Sequence, residues 1–450
     1  MPARDPRIVA TPFAALRFRP TRSRVGDDRL ASRYPPLVLL PPRRRGPDLR
    51  IAIVIERFAS NAGGVENVAW QVAHGLARAG EDVTVVAREL PSRMEAGPQV
   101  PSMLRRVAVP RFWQPLRVLA FSHVVGRRVR AATPRFDVVH SFSRTRHQDL
   151  YRAGGGSHAD FLERTHPGAG GRLRSLSPRH RTLLALERRV FADPDQRIQC
   201  ASQLVARRLT EEQGVDPDRI LLLPNGVDLD RYASSSARDA GRMLRLREAP
   251  GPDPVWLFPA SGWHRKGLDR VLAALVRLRE HRRGHRPRLW IAGRDDPASW
   301  RRRADRLGLE DRVRFLGPRS DLEVLYHAVD GMVLPTRYDP FANVTLEAAA
   351  AGLPIVTTRA NGAAEWLDGG CRVLADDEDP RSLAAALEAL ADPAKRSALG
   401  ARARLAVAGL DWQSHVEALR DAYRRIVADR RPLAGRREAA DPRRAQGRGR

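Results

Sequence analysis

Two carboxylates, Asp339 and Glu347, flank the stretch Pro340-Phe341-Ala342-Asn343-Val344-Thr345-Leu346. Upstream, Met332-Val333-Leu334-Pro335 reads as a buried strand that stops at its proline. Downstream, Leu346 to Ala351 is Ala-rich and ends at Gly352, the pattern of a helix with a C-terminal glycine. Asn343 can cap that helix. Asp339 is thereby placed on the loop after a strand, and Glu347 one turn into the next helix. Between them lie the N–H groups of a helix N-terminus, which bind anions. Phosphate donors with a carboxylate on each side suit a sugar nucleotide. The plain alternative is a surface Asp and a helix-surface Glu with no chemistry.

A second cluster weighs against that alternative. Ser261-Gly262-Trp263-His264-Arg265-Lys266-Gly267 follows the apolar run Val255-Trp256-Leu257-Phe258 and precedes a helix beginning near Leu268. Arg265 and Lys266 can neutralise a diphosphate and stabilise it as a leaving group. The basic residues are nearly all arginine, with Lys266 and Lys395 the only lysines. A retained Lys266 suggests a need for a compact ammonium, although Lys395 shows that a lysine can be incidental. Gly63-Gly64 follows the strand-like Arg50 to Ile55 and precedes a helix. Glycine there lets backbone approach a phosphate; a simple tight turn is the alternative.

These loops need a frame of parallel strands. Strand-like runs at Arg50–Ile55, Val83–Val86, Phe136–His140, Arg197–Cys200 and Ile220–Leu223 alternate with helical stretches. A second series runs Val255–Phe258, Leu289–Gly293, Val313–Gly317, Met332–Leu334 and Pro354–Thr358. The order predicts an α/β protein of two doubly wound Rossmann-like domains facing a cleft, with ligands at the carboxyl ends of the strands. Residues 1–48 read as a disordered Arg/Pro-rich extension, 49–230 as the N-terminal domain and 231–252 as a polar linker. Residues 253–410 form the second domain, 411–430 a final amphipathic helix and 431–450 a basic disordered tail.

The chain has 450 residues, a formal net charge of +27 and 42% hydrophobic residues, enough for two or three cored domains. The charge favours anionic partners such as membrane surfaces, phosphorylated glycans or nucleic acid. Cys200 and Cys371 lack metal-ligand spacing and read as small core residues; their scarcity fits a reducing cytosol. No apolar run reaches about 18 residues, so no transmembrane helix is expected. The Leu37-Val38-Leu39-Leu40 run is too short and Pro-flanked for a signal peptide. Residues 111–128 and 158–191 mix apolar and basic side chains, as a helix lying on an anionic membrane does; an ordinary helix with a core face is the alternative.

Taken together, Gly63-Gly64, Pro224-Asn225-Gly226-Val227-Asp228, Arg265-Lys266-Gly267 and the Asp339…Glu347 pair resemble a family 4 retaining glycosyltransferase of the GT-B fold, over roughly residues 49–430. Gln148 to His158 and Ser177-Pro178-Arg179-His180-Arg181 through Leu186-Glu187-Arg188-Arg189 resemble the lipopolysaccharide core glucosyltransferase I type. The resemblance implies that Arg265 and Lys266 hold the donor diphosphate and that Glu347 binds the ribose hydroxyls. Asp339 stands where the family usually has Glu, near the sugar 3-hydroxyl, and its shorter reach puts the donor sugar in question. Amides of Phe341, Ala342, Asn343, Val344 and Thr345 line the sugar and phosphate, and Gly64 faces the diphosphate.

His158 is a candidate sugar or β-phosphate contact, with a loop histidine as the alternative, and Asp149 is an acceptor-side candidate. Asn67-Val68 stand where many members carry Arg or an acidic residue. The implied reaction moves a hexose, glucose from UDP-glucose first, to a lipid-linked saccharide with retention and without a metal. The implied last helix crosses back onto the first domain. The implied place is the cytoplasmic face of the inner membrane. Asp376-Asp377 reads as a turn, and no Asp-x-Asp triplet occupies a suitable loop. Two competing readings are an Arg-rich nucleic-acid-binding protein, for which no reading element is present, and a GT-B sugar-nucleotide epimerase.

Overall fold

The computed structural model describes residues 48–60, 63–91, 103–110, 112–165, 169–280, 286–375 and 379–439, all within one compact unit. The Arg/Pro-rich extension up to residue 47, the Asp376-Asp377 pair and residues 440–450 lie outside the described residues.

The N-terminal half runs β1 (Arg50–Arg57), α1 (Gly64–Arg78), β2 (Asp82–Glu89), β3 (Met103–Arg106), α2 (Gln114–Arg130), β4 (Val138–Ser141) and β5 (Leu150–Arg152). It continues with α3 (His158–Thr165), α4 (Ala169–Ser175), α5 (Pro178–Ala192), β6 (Arg197–Cys200), α6 (Gln203–Gln213) and β7 (Ile220–Leu222). Its strands form one parallel sheet in the order β3-β2-β1-β4-β5-β6-β7. Ile51 to Ile55 are buried without alternation, as a strand covered on both faces requires. Val68, Ala69, Val72, Ala73 and Leu76 recur at helical spacing and bury one stripe of α1.

The second half runs α7 (Leu229–Tyr232), α8 (Ser235–Glu248), β8 (Val255–Pro259), α9 (Trp263–Lys266), α10 (Leu268–Glu280), β9 (Arg288–Ala292), α11 (Ala298–Arg306) and β10 (Val313–Gly317). It continues with α12 (Leu322–Ala328), β11 (Gly331–Leu334), α13 (Asn343–Ala350), β12 (Ile355–Thr358), β13 (Arg372–Leu374), α14 (Pro380–Ala389), α15 (Pro393–Ala406) and α16 (Trp412–Ala439). The sheet order is β10-β9-β8-β11-β12-β13, again parallel. In each sheet the winding reverses beside the first strand of its half, between β1 and β4 and between β8 and β11. Such switch points leave a crevice at the carboxyl ends of the strands.

Two expectations are corrected here. Residues 231–252 are no bare linker, because α8 occupies most of them. Ser234 caps it through Ala237 N. Its packing face is small: a Cβ on Gly241 would meet His327 Cβ at 2.6 Å. That close approach needs no large apolar side chain, so the stretch looks polar in sequence. The final helix also continues beyond residue 430, to Ala439.

That helix does pack on the first half. Val416, Leu419, Tyr423 and Ile426 join the core of β1, β2 and α1. The Tyr423 hydroxyl lies 2.8 Å from His140 Nδ1, and Arg420 donates to Glu81 at 2.5 Å.

Candidate active site

The loops after β1, β5, β8 and β11 meet at the crevice. After β8, Gly262 turns the chain at φ 76° into the single turn α9. Asp295, beyond β9, accepts from Gly262 N at 2.7 Å and Trp263 N at 3.0 Å. Gly267 closes the turn at φ 84°, where a Cβ would lie 2.1 Å from Pro335 O. These constraints fix Arg265 and Lys266 on one short rigid turn rather than on an open loop.

Arg265 donates to Tyr338 O at 2.8 Å. Lys266 forms an ion pair with Asp339. Both members are buried, 8% and 7% exposed. Burial, and then the Arg265 charge, pull the Lys266 ammonium well down. The contact with Asp339 fixes the Lys266 side chain against the loop after β11.

Asp339 also organises its own loop. Its amide donates to Ala360 O at 2.9 Å and its carbonyl accepts from Gly362 N at 3.0 Å. Phe341 N donates to Asp339 Oδ1 at 3.3 Å, and Ala342 N to Asn361 Oδ1 at 3.4 Å. Thr345 N is spent on Ala342 O at 2.9 Å. Of the amides expected to line a ligand, those of Phe341, Ala342 and Thr345 have protein partners. Asn343 and Val344 head α13, where no preceding turn offers their N–H groups a carbonyl.

Asn343 is not the cap of α13. Ala342 holds the cap position without a side-chain bond. Asn343 is the first helical residue, and its Oδ1 accepts from Asn225 Nδ2 at 2.7 Å. Across the crevice stands the N-terminus of α1, where a Cβ on Gly64 would lie 3.8 Å from Asn343 Nδ2. Two helix N-termini thus face one gap, a favourable place for an anion. Beside Gly64, the Glu66 carboxylate folds back on Gly63, 2.6 Å from where a Cβ would stand.

Glu347 accepts from the Tyr326 hydroxyl at 3.0 Å. Burial raises its carboxyl; the Tyr326 bond, the Arg231 charge and the Tyr232 bond pull the other way.

His158 heads α3. Its amide donates to Glu187 Oε2 at 2.7 Å and its Nε2 lies 2.8 Å from His180 Nδ1. Burial, Arg144, His180 and Arg179 push its imidazole down to about 3, so it is neutral at physiological pH. The loop before it touches the Asp339 loop: the Tyr338 hydroxyl donates to Gly155 O at 3.2 Å.

Asp149 is corrected. It precedes β5 and sits at the amino edge of the sheet, away from the crevice. Its Oδ2 accepts from Val139 N at 2.7 Å and its Oδ1 pairs with Arg430 of α16. It ties the last helix to the first half.

A cavity of about 530 Å³ between the ends of β9 and β10 escaped the sequence reading. Trp263, Gly293, Asp295, Asp296, Phe315 and Gly317 are among its walls. It adjoins the Arg265-Lys266 turn through Trp263 and Asp295. Its only sequence signal was a glycine at the end of each strand.

The family model described as Glycosyltransferase Family 4 matches residues 62–231, and that described as Glycosyl transferases group 1 matches residues 253–392. The chain is 30% identical over 421 residues to a D-inositol 3-phosphate glycosyltransferase of Geodermatophilus obscurus, covering 88% of this chain and 92% of that relative. A protein of the same description from Kineococcus radiotolerans is 34% identical over 272 residues, 55% of this chain and 61% of the relative. Lipopolysaccharide glucosyltransferase WaaG of Escherichia coli is 29% identical over 204 residues, 45% of this chain and 54% of that protein. The crystal structure of WaaG superposes with a TM-score of 0.71 at 24% identity, over 83% of this chain and 99% of that one. Both halves of the sequence and the GT-B arrangement of two facing sheets agree: the chain belongs to glycosyltransferase family 4.

Proposed function

We propose that the protein moves a hexose from a nucleotide sugar, UDP-glucose first among them, to a saccharide carried on a lipopolysaccharide core or related glycoconjugate. One observation carries the donor reading. The paired cations Arg265 and Lys266 and two helix N-termini converge at the carboxyl ends of both sheets. The donor diphosphate fits between Gly64 and the Asn343-Val344 amides, with the two cations beside it. The nucleobase suits the cavity walled by Trp263 and Phe315, Glu347 suits the ribose, and Asp339 suits the sugar hydroxyls. His158 is kept as a neutral sugar-side contact.

In the proposed step the bond from the anomeric carbon to the diphosphate breaks. The acceptor oxygen bonds that carbon on the face just vacated, and the acceptor proton leaves with the diphosphate. Cations and helix amides stabilise the charge that develops on the leaving group, so no metal is required.

In the same reading the protein works at an anionic membrane surface on the cytoplasmic side. Phe112 and Leu173 are 84% and 72% exposed, and Trp113 and Leu176 are exposed as well. Arg127, Arg128, Arg174 and Arg179 are exposed on α2, α4 and α5, the helices that begin or end beside these residues. Leu119 is exposed too, whereas Leu162, Leu186 and Phe191 of these segments are core. No helix among the described residues is long and apolar enough to cross a membrane.

A second acceptor reading rests on the Geodermatophilus relative, which is matched over nearly its full length. There the acceptor is a phosphorylated cyclitol. The test is a donor panel of UDP-glucose, UDP-galactose, UDP-N-acetylglucosamine and GDP-mannose, with and without EDTA, read by nucleoside diphosphate release. A lipopolysaccharide core and D-inositol 3-phosphate serve as acceptors. Release from one donor that survives EDTA supports the reading, and the acceptor that gains sugar names the class. Release with no sugar on any acceptor supports an epimerase, and no turnover with any donor overturns the donor site.

A further inference from the structure

The Pro224-Asn225-Gly226-Val227-Asp228 motif plays no part in the reading above, yet Asn225 is only 3% exposed beneath the crevice. Its side chain joins the two halves. Oδ1 accepts from Arg152 Nη2 at 2.5 Å, and Nδ2 donates to Asn343 Oδ1 at 2.7 Å. Arg152 ends β5, is 4% exposed, and lies 5.6 Å over the Phe142 ring. Its Nε has no partner, and no carboxylate pairs with its guanidinium among the described residues.

The polarity of this chain of bonds is forced. A guanidinium only donates. Asn225 must therefore turn its oxygen to Arg152 and its NH2 to Asn343. Asn343 must in turn offer its oxygen, which leaves its own NH2 facing away from Asn225. That NH2 faces Gly64, across the gap between the N-termini of α1 and α13. A buried charge with no counterion holds neighbouring dipoles strongly, because the surroundings screen it poorly.

We propose that Arg152 and Asn225 are positioning residues that fix the Asn343 amide with its NH2 aimed at the donor diphosphate, which makes that side chain a further diphosphate contact. The proposal rests on the donor-site reading given under Proposed function. It concerns a side chain of α13 and a motif of the first half, beyond the backbone amides and the Arg265-Lys266 turn.

The variant Asn225→Asp has the same shape and still accepts from Arg152, but it cannot donate to Asn343. Asn343 then turns its NH2 to the new carboxylate and its oxygen to the diphosphate. Calorimetric titration with UDP (or with ADP or GDP, where one of these is what the wild type binds) is expected to show affinity lowered about tenfold, the scale of a hydrogen bond to a charged group. Binding of the parent nucleoside is expected to be unchanged. Asn343→Ala, at a half-buried position in the crevice, is expected to give a similar loss. Adding Asn225→Asp to Asn343→Ala is then expected to cost nothing more.

Wild-type affinity for the diphosphate in Asn225→Asp overturns the proposal, as do losses that multiply in the double variant. If Asn225→Asp does not fold, Asn343→Ala decides alone: equal loss for nucleoside and diphosphate, or no loss, overturns it. A wild type that binds no nucleoside diphosphate overturns the donor-site reading, and this proposal with it.

Discussion

Lys266 and Asp339, contributed by the turn after β8 and the loop after β11, form a buried ion pair on either side of the switch point of the second sheet. Each holds the other in the geometry that the proposed donor site needs. Removing Lys266 takes away the proposed leaving-group cation and strands a buried carboxylate. Lys266→Ala is expected to lower kcat about 10²–10³-fold. Breaking the pair is also expected to destabilise the fold by about 3–5 kcal/mol. Steady-state kinetics and urea unfolding measure the two losses separately.

Gly267 tests the rigidity of the same turn. Its φ of 84° and the 2.1 Å approach of Pro335 O leave no room for a side chain. Gly267→Ala is expected to destabilise by about 1–3 kcal/mol, the scale of a strained backbone position. Activity is expected to fall with it, because Arg265 and Lys266 move. A thermal melt and donor turnover check both.

His158 gives a pH signature. Its folded imidazole is held down to about 3, whereas in the unfolded chain it titrates near its ordinary value of about 6.5. The unfolded state therefore gains a proton first as pH falls. The contribution of His158 to stability is full above that ordinary value and is lost progressively on the way down to about 3. His158→Gln is expected to flatten the acid side of the stability curve, read by urea unfolding between pH 4 and pH 7.5.

Asp149 separates a structural role from an acceptor role. Asp149→Ala removes the partner of Val139 N and of Arg430. It is expected to destabilise by about 1–3 kcal/mol, the cost of an unsatisfied buried donor. The KM for the saccharide acceptor is expected to stay at the wild-type value.

The loops of the proposed donor site were legible in sequence because each is local. Arg265 and Lys266 share one loop, Asp339 and Glu347 span one loop and helix start, and each follows a plain apolar strand. Residue type and chain order sufficed for these. Pairing was not legible: nothing local says that Lys266 meets Asp339, or that Asn225 meets Arg152 and Asn343, since folding brings those residues together. The edge occupied by Asp149 was hidden too, because β5 is a three-residue strand that begins just after it. The α8 helix was missed because its packing face is made of Ala237 and Gly241. The cavity beside Gly293 and Gly317 depends on two separate strands ending level, which no single segment reveals.

The most direct test of the central claim is a crystal structure with a nucleoside diphosphate bound. The account predicts the β-phosphate in the gap between Gly64 and the Asn343-Val344 amides, within reach of Arg265 and Lys266, and the base in the cavity walled by Trp263 and Phe315. A nucleotide seated elsewhere, with the Lys266–Asp339 pair facing an empty crevice, would contradict it.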